Sequence, residues 1–145
     1  MTQHYYGTKH IVAWEQDKET SDSDGALITP GYAVKYDDGY ISWSPKAVFE
    51  AAYQPLDALS FGHAVVILKA GGKVARAGWN GKGMFLFLVP GSTFKVNRPP
   101  LLGIYPEGTE INYCPHIDMK TADGKVVPWL ASQTDVLADD WQVVV

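Results

Sequence analysis

The stretch that organises this 145-residue chain is residues 69–87, which read KAGGKVARAGWNGKGMFLF. Its pattern predicts a helix end, a strand, a glycine-rich turn and a second strand. The turn, residues 78–83, combines a flat aromatic ring, an amide, a cation and three glycines. An aromatic face, a lysine and closely approaching backbone N–H groups suit a planar, anionic ligand. The alternative interpretation is a hairpin turn beside a tryptophan of the core.

Length and composition indicate a folded protein with one domain, or one core with a small appendage. Hydrophobic residues make up 46% of the chain, which is enough for a packed core. No apolar run approaches the ~20 residues that a membrane helix needs, so we expect no membrane partner. The N-terminal residues lack the pattern of a signal peptide, and the single cysteine, Cys114, fits a reducing compartment.

Charge is distributed unevenly along the sequence. Residues 58–106 contain six basic residues and no Asp or Glu, whereas the whole chain has a net charge of −4. An acidic chain argues against non-specific nucleic-acid binding, which needs a broad basic surface. The basic segment still allows a local site for a small anion.

The first third of the chain predicts a small strand–hairpin–helix module. Residues 9–14 and 32–36 alternate polar and apolar side chains as strands do, and Asp38-Gly39 is a hairpin signal. The acidic residues 15–25 contain no periodic apolar pattern, so we expect a surface loop there. Ser44 before Pro45 predicts the start of a helix over residues 45–53.

The remainder predicts an antiparallel sheet with short helices. Ser60 is expected to cap a helix over residues 61–70, and residues 84–89, MFLFLV, are expected to form a central strand buried on both faces. Residues 90–113 are rich in proline and glycine and predict a long loop with an apolar centre that contacts another subunit. Further strands are expected over residues 73–79, 114–120 and 139–145, with a second hairpin at Asp123-Gly124.

These elements predict an α+β fold: a small antiparallel sheet core with two or three short helices, preceded by the strand–hairpin–helix module. We place the module at residues 1–57 and the core domain at residues 58–145. Because about 55 residues can bury little surface alone, the module is expected to dock on the core domain.

Two clusters are candidates for ligand binding. In the first, Trp79 would stack on a ring, Asn80 would offer an amide, and Arg76 and Lys82 would be the cations. The second surrounds a predicted helix N-terminus, whose free N–H groups suit a phosphate. Its residues are Trp129, Ser132, Thr134 and Asp135. Plain helix capping and a core tryptophan are the alternative interpretation of the second cluster.

One further set of residues has side chains of the types found in catalytic and metal sites. Cys114, His116 and Asp118 alternate, so on a strand they would share one face and offer a metal half-site or a thiol beside a base. No second pair of metal ligands follows, and no phosphate-binding loop, nucleophile elbow or zinc-protease motif is present. We therefore expect no catalytic residue, no metal and no cofactor.

Several segments of the chain carry a family resemblance. They are KAGGK, VARAGWNGKGMFL, PHIDMKTADG and VPWLASQTDVLADDW, all within residues 59–145. This region closely resembles a phage family, once classed only as a domain of unknown function, that is associated with the second type of Thoeris anti-defence protein. The N-terminal piece, GYAVKYDDGYISWSPKAVFEAAY, resembles a module common in small phage proteins.

The resemblance implies a sponge that acts in the cytoplasm of an infected bacterium. Members of the family bind a cyclic nucleotide or cyclised ADP-ribose signal without cleaving it, as homotetramers with pockets between subunits. Some relatives also look able to take cyclic dinucleotides at a separate site. Two other hypotheses stay open: a phosphodiesterase-like enzyme that uses Cys114, His116 and Asp118, and a phage protein-interaction module that uses the apolar loop.

Overall fold

The computed structural model describes residues 1–145 and divides into two compact units, Met1–Pro55 and Leu56–Val145. Every ladder between strands is antiparallel, and three short helices accompany them. The predicted α+β class is therefore confirmed. None of the helices has the length and apolar character needed to cross a membrane.

The first unit is a three-stranded sheet with a separate hairpin and one helix. Its sheet has the order β1-β4-β5, and β2 pairs only with β3. The elements are β1 (Val12–Glu15), β2 (Lys18–Asp22), β3 (Gly25–Thr29), β4 (Gly31–Lys35), β5 (Ile41–Pro45) and α1 (Lys46–Ala52).

The central strand β4 supplies the core of this unit. Ala33 and Val34 are both buried, and because they are adjacent they face opposite sides of the sheet. Helix α1 covers one side through Phe49, whose ring stacks on Tyr32 with centroids 4.2 Å apart. Phe49 also stacks on Tyr53, with centroids 5.0 Å apart.

Two predictions for this unit are wrong. The acidic segment is not a loop, because Lys18–Asp22 pairs with Gly25–Thr29 as the hairpin β2–β3. Short-range pairing satisfies its backbone although its side chains lack an apolar period. The Ser44 hydroxyl does not cap α1: β5 runs through Pro45, and the cap position of the helix has no side-chain hydrogen bond.

The second unit is organised by a five-stranded sheet with the order β11-β10-β7-β6-β12, beside a separate β8–β9 hairpin. Helix α2 packs on β6, β7 and β12. The elements are α2 (Phe61–Lys69), β6 (Lys73–Arg76), β7 (Phe85–Val89), β8 (Ser92–Lys95), β9 (Glu110–Tyr113), β10 (His116–Lys120), β11 (Val126–Pro128), α3 (Gln133–Val136) and β12 (Trp141–Val144).

Helix α2 begins and ends as its sequence predicts. The Ser60 hydroxyl accepts a hydrogen bond from the backbone N–H of His63 at 3.4 Å. Gly71 follows the helix with a φ of +88°, which a residue with a side chain rarely adopts. Between these ends, Ala64 and Leu68 are fully buried.

The core of the second unit lies between α2 and one face of the sheet. Trp141 in β12 is its largest fully buried side chain. The backbone of Trp141 exchanges two hydrogen bonds with Leu59, 2.8 and 3.1 Å long. Around them pack Ala64, Leu68, Val74 and Leu86.

The predicted burial of β7 on both faces is wrong. Leu86 is fully buried, whereas Phe85 and Phe87 are half-buried. Side chains alternate along a strand, and α2 covers only the face that carries Leu86. The opposite face presents Phe85 and Phe87, whose ring centroids are 6.2 Å apart.

The predicted long loop over residues 90–113 is also wrong in part. Its ends form the hairpin β8–β9, in which Ser92 pairs with Tyr113 and Lys95 pairs with Glu110. Only residues 96–109 connect the strands, and hydrogen bonds from Val96 N–H to Thr109 (2.9 Å) and from Gly108 N–H to Val96 (2.8 Å) continue the pairing.

Candidate functional site

Arg76, at the end of β6, is held by two carboxylates. Its Nε and Nη2 atoms donate to the two oxygens of Asp140 at 2.8 and 3.4 Å, and Nη1 donates to Oδ1 of Asp135 at 2.8 Å. Only 15% of the Arg76 side chain is exposed. The sheet register explains the arrangement, because Arg76 lies opposite Trp141, and Asp140 immediately precedes Trp141.

Trp79 joins the same cluster through its indole N–H. Nε1 donates a 3.1 Å hydrogen bond to Oδ1 of Asp135, the oxygen that also accepts from Arg76. The backbone N–H of Gly78 donates to Oδ2 of Asp140 at 2.7 Å. A Cβ atom at position 78 would lie 2.8 Å from that oxygen, so glycine allows the close approach.

The predicted helix start at Ser132 is present and bears on the cluster. The Ser132 hydroxyl accepts a 3.0 Å hydrogen bond from the backbone N–H of Asp135. The carbonyl oxygen of Asp135 accepts a 2.9 Å bond from Nε1 of Trp141. Asp135 thus connects α3, the strand β12 and the turn after β6.

Three tryptophans meet beneath these polar contacts. The rings of Trp79 and Trp129 each meet the ring of Trp141 edge-on, with centroids 5.5 and 6.1 Å apart. Edge-to-face contact is a favourable arrangement for aromatic rings. Trp79 and Trp129 remain half-buried, so part of each indole is open to solvent.

The remaining predicted residues lie at exposed positions. Asn80, Lys82 and Thr134 are exposed, and their side chains make no hydrogen bond or ion pair to the cluster. The turn that carries Asn80 and Lys82 is hydrogen-bonded to strand β10 instead. Nζ of Lys120 donates a 3.0 Å hydrogen bond to the carbonyl oxygen of Gly83. The structure therefore brings together Arg76, Trp79, Ser132 and Asp135, with Trp129 below them.

The electrostatics of the cluster follow from these bonds. The hydrogen bonds that Arg76 donates to Asp140 and Asp135 raise the pKa of Arg76. The Arg76 hydrogen bond lowers the pKa of Asp140 against the opposing effect of burial. Burial acts to raise the pKa of Asp135, but hydrogen bonds from Arg76, Trp79 and Ser132 outweigh it and lower that pKa. All three groups are therefore charged near neutral pH.

This arrangement limits what Arg76 can offer to a ligand. One cation and two carboxylates leave a net charge of −1, and three of the five N–H donors of the guanidinium are engaged. Two donors remain for a phosphate or a carbonyl group. The predictions that Arg76, Asn80, Lys82 and the other cluster residues contact a ligand stay predictions.

The set Cys114, His116 and Asp118 has a different geometry from the predicted one. Strand β10 begins at His116, so exposed Cys114 lies before it. The ring Nδ1 of His116 lies 3.3 Å from the backbone oxygen of Cys114, and Nε2 lies 3.5 Å from Oδ1 of Asp118. No group of three or more His, Cys, Asp or Glu side chains gathers where it could hold a metal ion.

Comparison with known proteins assigns the second unit. Residues 59–144 match the model of the Thoeris anti-defense 2-like domain. The chain belongs to the Thoeris anti-defense 2-like family. A curated relative, Thoeris anti-defense 2 of Bacillus phage SP01, is 45% identical over 86 residues, which are 59% of this chain and 94% of the relative. The resemblance predicted from the sequence motifs is thereby confirmed.

The Thoeris anti-defense 2-like domain contains all eight predicted ligand residues, whereas residues 1–55 lie outside it. Sequence reasoning missed Asp140 and Trp141, which complete the cluster of Arg76, Trp79 and Asp135. A signal for both exists in the sequence. Asp140 directly precedes β12, which pairs with β6, so it lies beside Arg76 at the end of β6. Trp141 is the first residue of β12 and can face the core.

Proposed function

We propose that this protein is a phage anti-defence protein that inhibits Thoeris by binding its signal molecule and holding it without cleavage. The signal is of the cyclic ADP-ribose type or a related cyclic nucleotide, and binding takes place in the cytoplasm of the infected bacterium. The observation that carries the proposal is the match of residues 59–144 to the Thoeris anti-defense 2-like domain, together with the 45% identity to the phage SP01 relative of that name.

The geometry of the tryptophan cluster supports binding of a flat polar molecule. Trp79 is fixed at its N–H by Asp135, at 3.1 Å, and at its ring by the edge of Trp141. A fixed ring loses little conformational entropy when a base stacks on it. The ligand contacts that we propose are Trp79, Asn80, Arg76, Lys82, Trp129, Ser132, Thr134 and Asp135.

The geometry at Cys114 favours retention over cleavage. A thiol nucleophile needs a base within hydrogen-bond reach of its sulfur. Here Nδ1 of His116 lies 3.3 Å from the backbone oxygen of Cys114, and Nε2 points to Asp118. The Nδ1 atom of His116 therefore faces a backbone oxygen and not the thiol, which supports sequestration over phosphodiesterase chemistry.

We also propose that the active species is a homotetramer. The sheet face opposite α2 carries half-buried Phe85 and Phe87 and exposed Val126, while Ile104 in the β8–β9 connection is 69% exposed. Contact with further copies of the chain would remove this apolar surface from water. Light scattering after size-exclusion chromatography tests the assembly by measuring its mass.

A release experiment tests the mechanism. The protein is incubated with the cyclised ADP-ribose signal, freed of unbound ligand by gel filtration and then denatured by heat. Sequestration predicts that mass spectrometry of the supernatant finds the signal intact, in proportion to the protein. The variant His116→Ala is expected to release the same amount of intact signal.

Two outcomes would contradict the mechanism. A linearised or otherwise altered product in the supernatant, lost in His116→Ala, would identify an enzyme. Absence of the signal and of any product from the gel-filtered protein would show that no stable complex forms. The second outcome would direct attention to a protein partner of the phage or host.

A further inference from the structure

Strand β1 is an open edge of the sheet in the first unit. The sheet has the order β1-β4-β5, so β1 pairs with β4 and has no strand on its other side. No backbone hydrogen bond reaches β1 from any other part of the chain. An edge strand presents unpaired N–H and C=O groups that a strand of another chain can bind.

Two residues of β1 direct their backbone groups away from β4. Directly after the strand, the N–H of Gln16 donates a 2.9 Å hydrogen bond to the backbone oxygen of Gly31. Because hydrogen-bonded pairs alternate along an antiparallel ladder, the pairing with β4 uses every second residue counted from Gln16. The N–H and C=O groups of Ala13 and Glu15 consequently point outward, and they have no hydrogen-bond partner.

The opposite edge of the sheet, β5, is less suited to pairing. By the same alternation, Pro45 occupies one of its outward positions, and proline has no N–H to donate. Proline and lysine on edge strands are common devices against unwanted pairing. Strand β1 reads VAWE and contains neither of them, so it is the edge that can accept a strand.

The two faces of β1 differ in polarity. Glu15 lies opposite Tyr32, whose ring stacks on Phe49 of α1, so Glu15 is on the face that the helix covers. Val12 and Trp14 lie on the other face and are 58% and 42% exposed. Because side chains alternate along a strand, a strand added to β1 would meet apolar side chains on one face and a carboxylate on the other.

The face that carries Glu15 is acidic. Nζ of Lys46 lies 3.8 Å from a carboxylate oxygen of Glu15 and 3.9 Å from one of Glu50, so one ammonium group serves two carboxylates. These three groups sum to a charge of −1. The adjoining residues 15–24 contain five acidic residues and one lysine. Complementary charge steers and orients a partner, so this face favours a basic segment.

Charge also argues against pairing of β1 with a second copy of itself. Residues 1–55 contain four basic and eight acidic residues, which give this unit a net charge of −4. Two such units repel each other. Strand β1 has no cation of its own to place opposite Glu15 of a second copy.

We propose that β1 docks an extended segment of a protein partner, which joins the sheet as a fourth strand. The segment alternates apolar and basic residues. Its apolar side chains pack on Val12 and Trp14, its lysine or arginine side chains meet Glu15, and its backbone bonds to Ala13 and Glu15. This interaction goes beyond the proposed function, because β1 lies outside residues 59–144, which match the Thoeris anti-defense 2-like domain.

Nuclear magnetic resonance of the full chain tests the docking edge with two synthetic peptides of about eight residues. One peptide alternates arginine and valine, and the other alternates glutamate and valine. At saturation, the arginine peptide should slow hydrogen exchange of the Ala13 and Glu15 amides by about tenfold or more. The amides of Val12 and Trp14 already bond to β4 and should change little. The glutamate peptide should bind roughly tenfold more weakly.

The variant Glu15→Lys tests recognition of charge. The fold should tolerate it, since 74% of the Glu15 side chain is exposed. It should weaken binding of the arginine peptide by roughly three- to tenfold and strengthen binding of the glutamate peptide. Glu107→Lys, at an exposed position of the second unit, is the matched control and should leave both affinities unchanged.

The variant Ala13→Pro tests the backbone contact. It removes an outward N–H, and edge strands tolerate proline at such positions. Binding of the arginine peptide should weaken about tenfold, whereas Ala13→Ser keeps the N–H and should retain affinity. If the thermal midpoint of Ala13→Pro falls, an arginine–valine peptide methylated at alternate backbone nitrogens replaces it. That peptide lacks the N–H donors on one edge and should bind as weakly.

The outcomes are independent of whether the protein retains the nucleotide signal. Slowed exchange at Ala13 and Glu15, together with the reversal of peptide preference in Glu15→Lys, would establish the docking edge. Free exchange of both amides at millimolar arginine peptide would overturn it, as would equal binding of the two peptides. Protection of the same amides in the peptide-free protein as its concentration rises would also overturn it, because β1 would then pair with a second copy.

Discussion

Trp79 and Asp135 are joined by a 3.1 Å hydrogen bond from the indole Nε1 to Oδ1, the oxygen that also accepts the 2.8 Å bond from Arg76. One carboxylate oxygen therefore sets both the position of the tryptophan ring and that of the nearest cation. The bond links residues 56 positions apart in the chain, so the cluster exists only in the folded domain. The same hydrogen bond orients the Trp79 ring, which we propose as a ligand contact.

Asp135→Ala is expected to destabilise the domain by about 1–3 kcal/mol, because Arg76 and Trp79 each lose an acceptor in a partly buried site. The matched control is Asp139→Ala, which alters an exposed neighbour and should cost less than about 0.5 kcal/mol. Urea unfolding at pH 7 measures both values. Equal values for the two variants would show that the hydrogen bonds contribute no net stability.

Acid should weaken the domain through the same carboxylates. Folding lowers the pKa of both Asp135 and Asp140, below the value of about 3.9 for an unfolded aspartate. The unfolded state therefore binds protons first, and the stabilisation is present above about pH 4 and lost as pH falls further. Urea unfolding between pH 6 and pH 3 gives the free energy of unfolding at each pH. This free energy should fall less steeply with decreasing pH in Asp140→Asn than in the unaltered protein. Asp139→Asn, the control, should reproduce the unaltered slope.

Two variants separate the contribution of the Trp79 N–H from that of its aromatic ring. Trp79→Phe removes the donor to Asp135 but keeps an aromatic face toward Trp141, and we expect a loss of about 1 kcal/mol of stability. Trp79→Ala also removes the edge contact at 5.5 Å and should cost about 2–3 kcal/mol more. Calorimetry with the nucleotide signal should find binding roughly ten- to a hundredfold weaker in Trp79→Ala. If a folded Trp79→Ala binds normally, the ring does not stack on the ligand.

The sequence predicted those parts of the fold that local chemistry specifies. Helix α2 begins after Ser60 and ends before Gly71. Both limits could be predicted, because a serine hydroxyl can accept a hydrogen bond from the first turn and glycine readily adopts a positive φ. The strands that follow were predicted for the same kind of reason. By contrast, the β2–β3 hairpin depends on pairing between segments without an apolar period, so inspection of Lys18–Asp22 alone predicts a loop.

In the candidate site too, the residue types could be predicted from the sequence, whereas the long-range contacts could not. Trp79, Arg76 and Asp135 were selected from the sequence for their chemistry, and the structure brings them into contact. The contact between Arg76 and Asp140 was missed, because it spans 64 positions and is found only when β12 is paired with β6 in the correct register. The hairpin β8–β9 was missed because residues 90–113 are rich in proline and glycine, whereas their ends, Ser92–Lys95 and Glu110–Tyr113, pair with each other.

The variant Gly31→Ala is expected to destabilise the first unit without destabilising the second. Gly31 is buried in β4, and a Cβ atom there would overlap the indole of Trp43 and lie 2.5 Å from the backbone oxygen of Ser44. Neighbouring backbone cannot move away cheaply, so the unit Met1–Pro55 should lose about 1–3 kcal/mol or more and, being small, should unfold first.

The measurement is calorimetric unfolding of the whole chain, paired with binding of ADP-ribose. Gly31→Ala should lower or abolish the transition of the first unit and leave the transition and the ligand affinity of Leu56–Val145 unchanged, because every proposed ligand contact lies in the second unit. Gly7→Ala is the control, since a Cβ atom at position 7 meets no atom within 4 Å, and it should change neither transition. A fall in ligand affinity in Gly31→Ala would instead show that residues 1–55 contribute to the binding site.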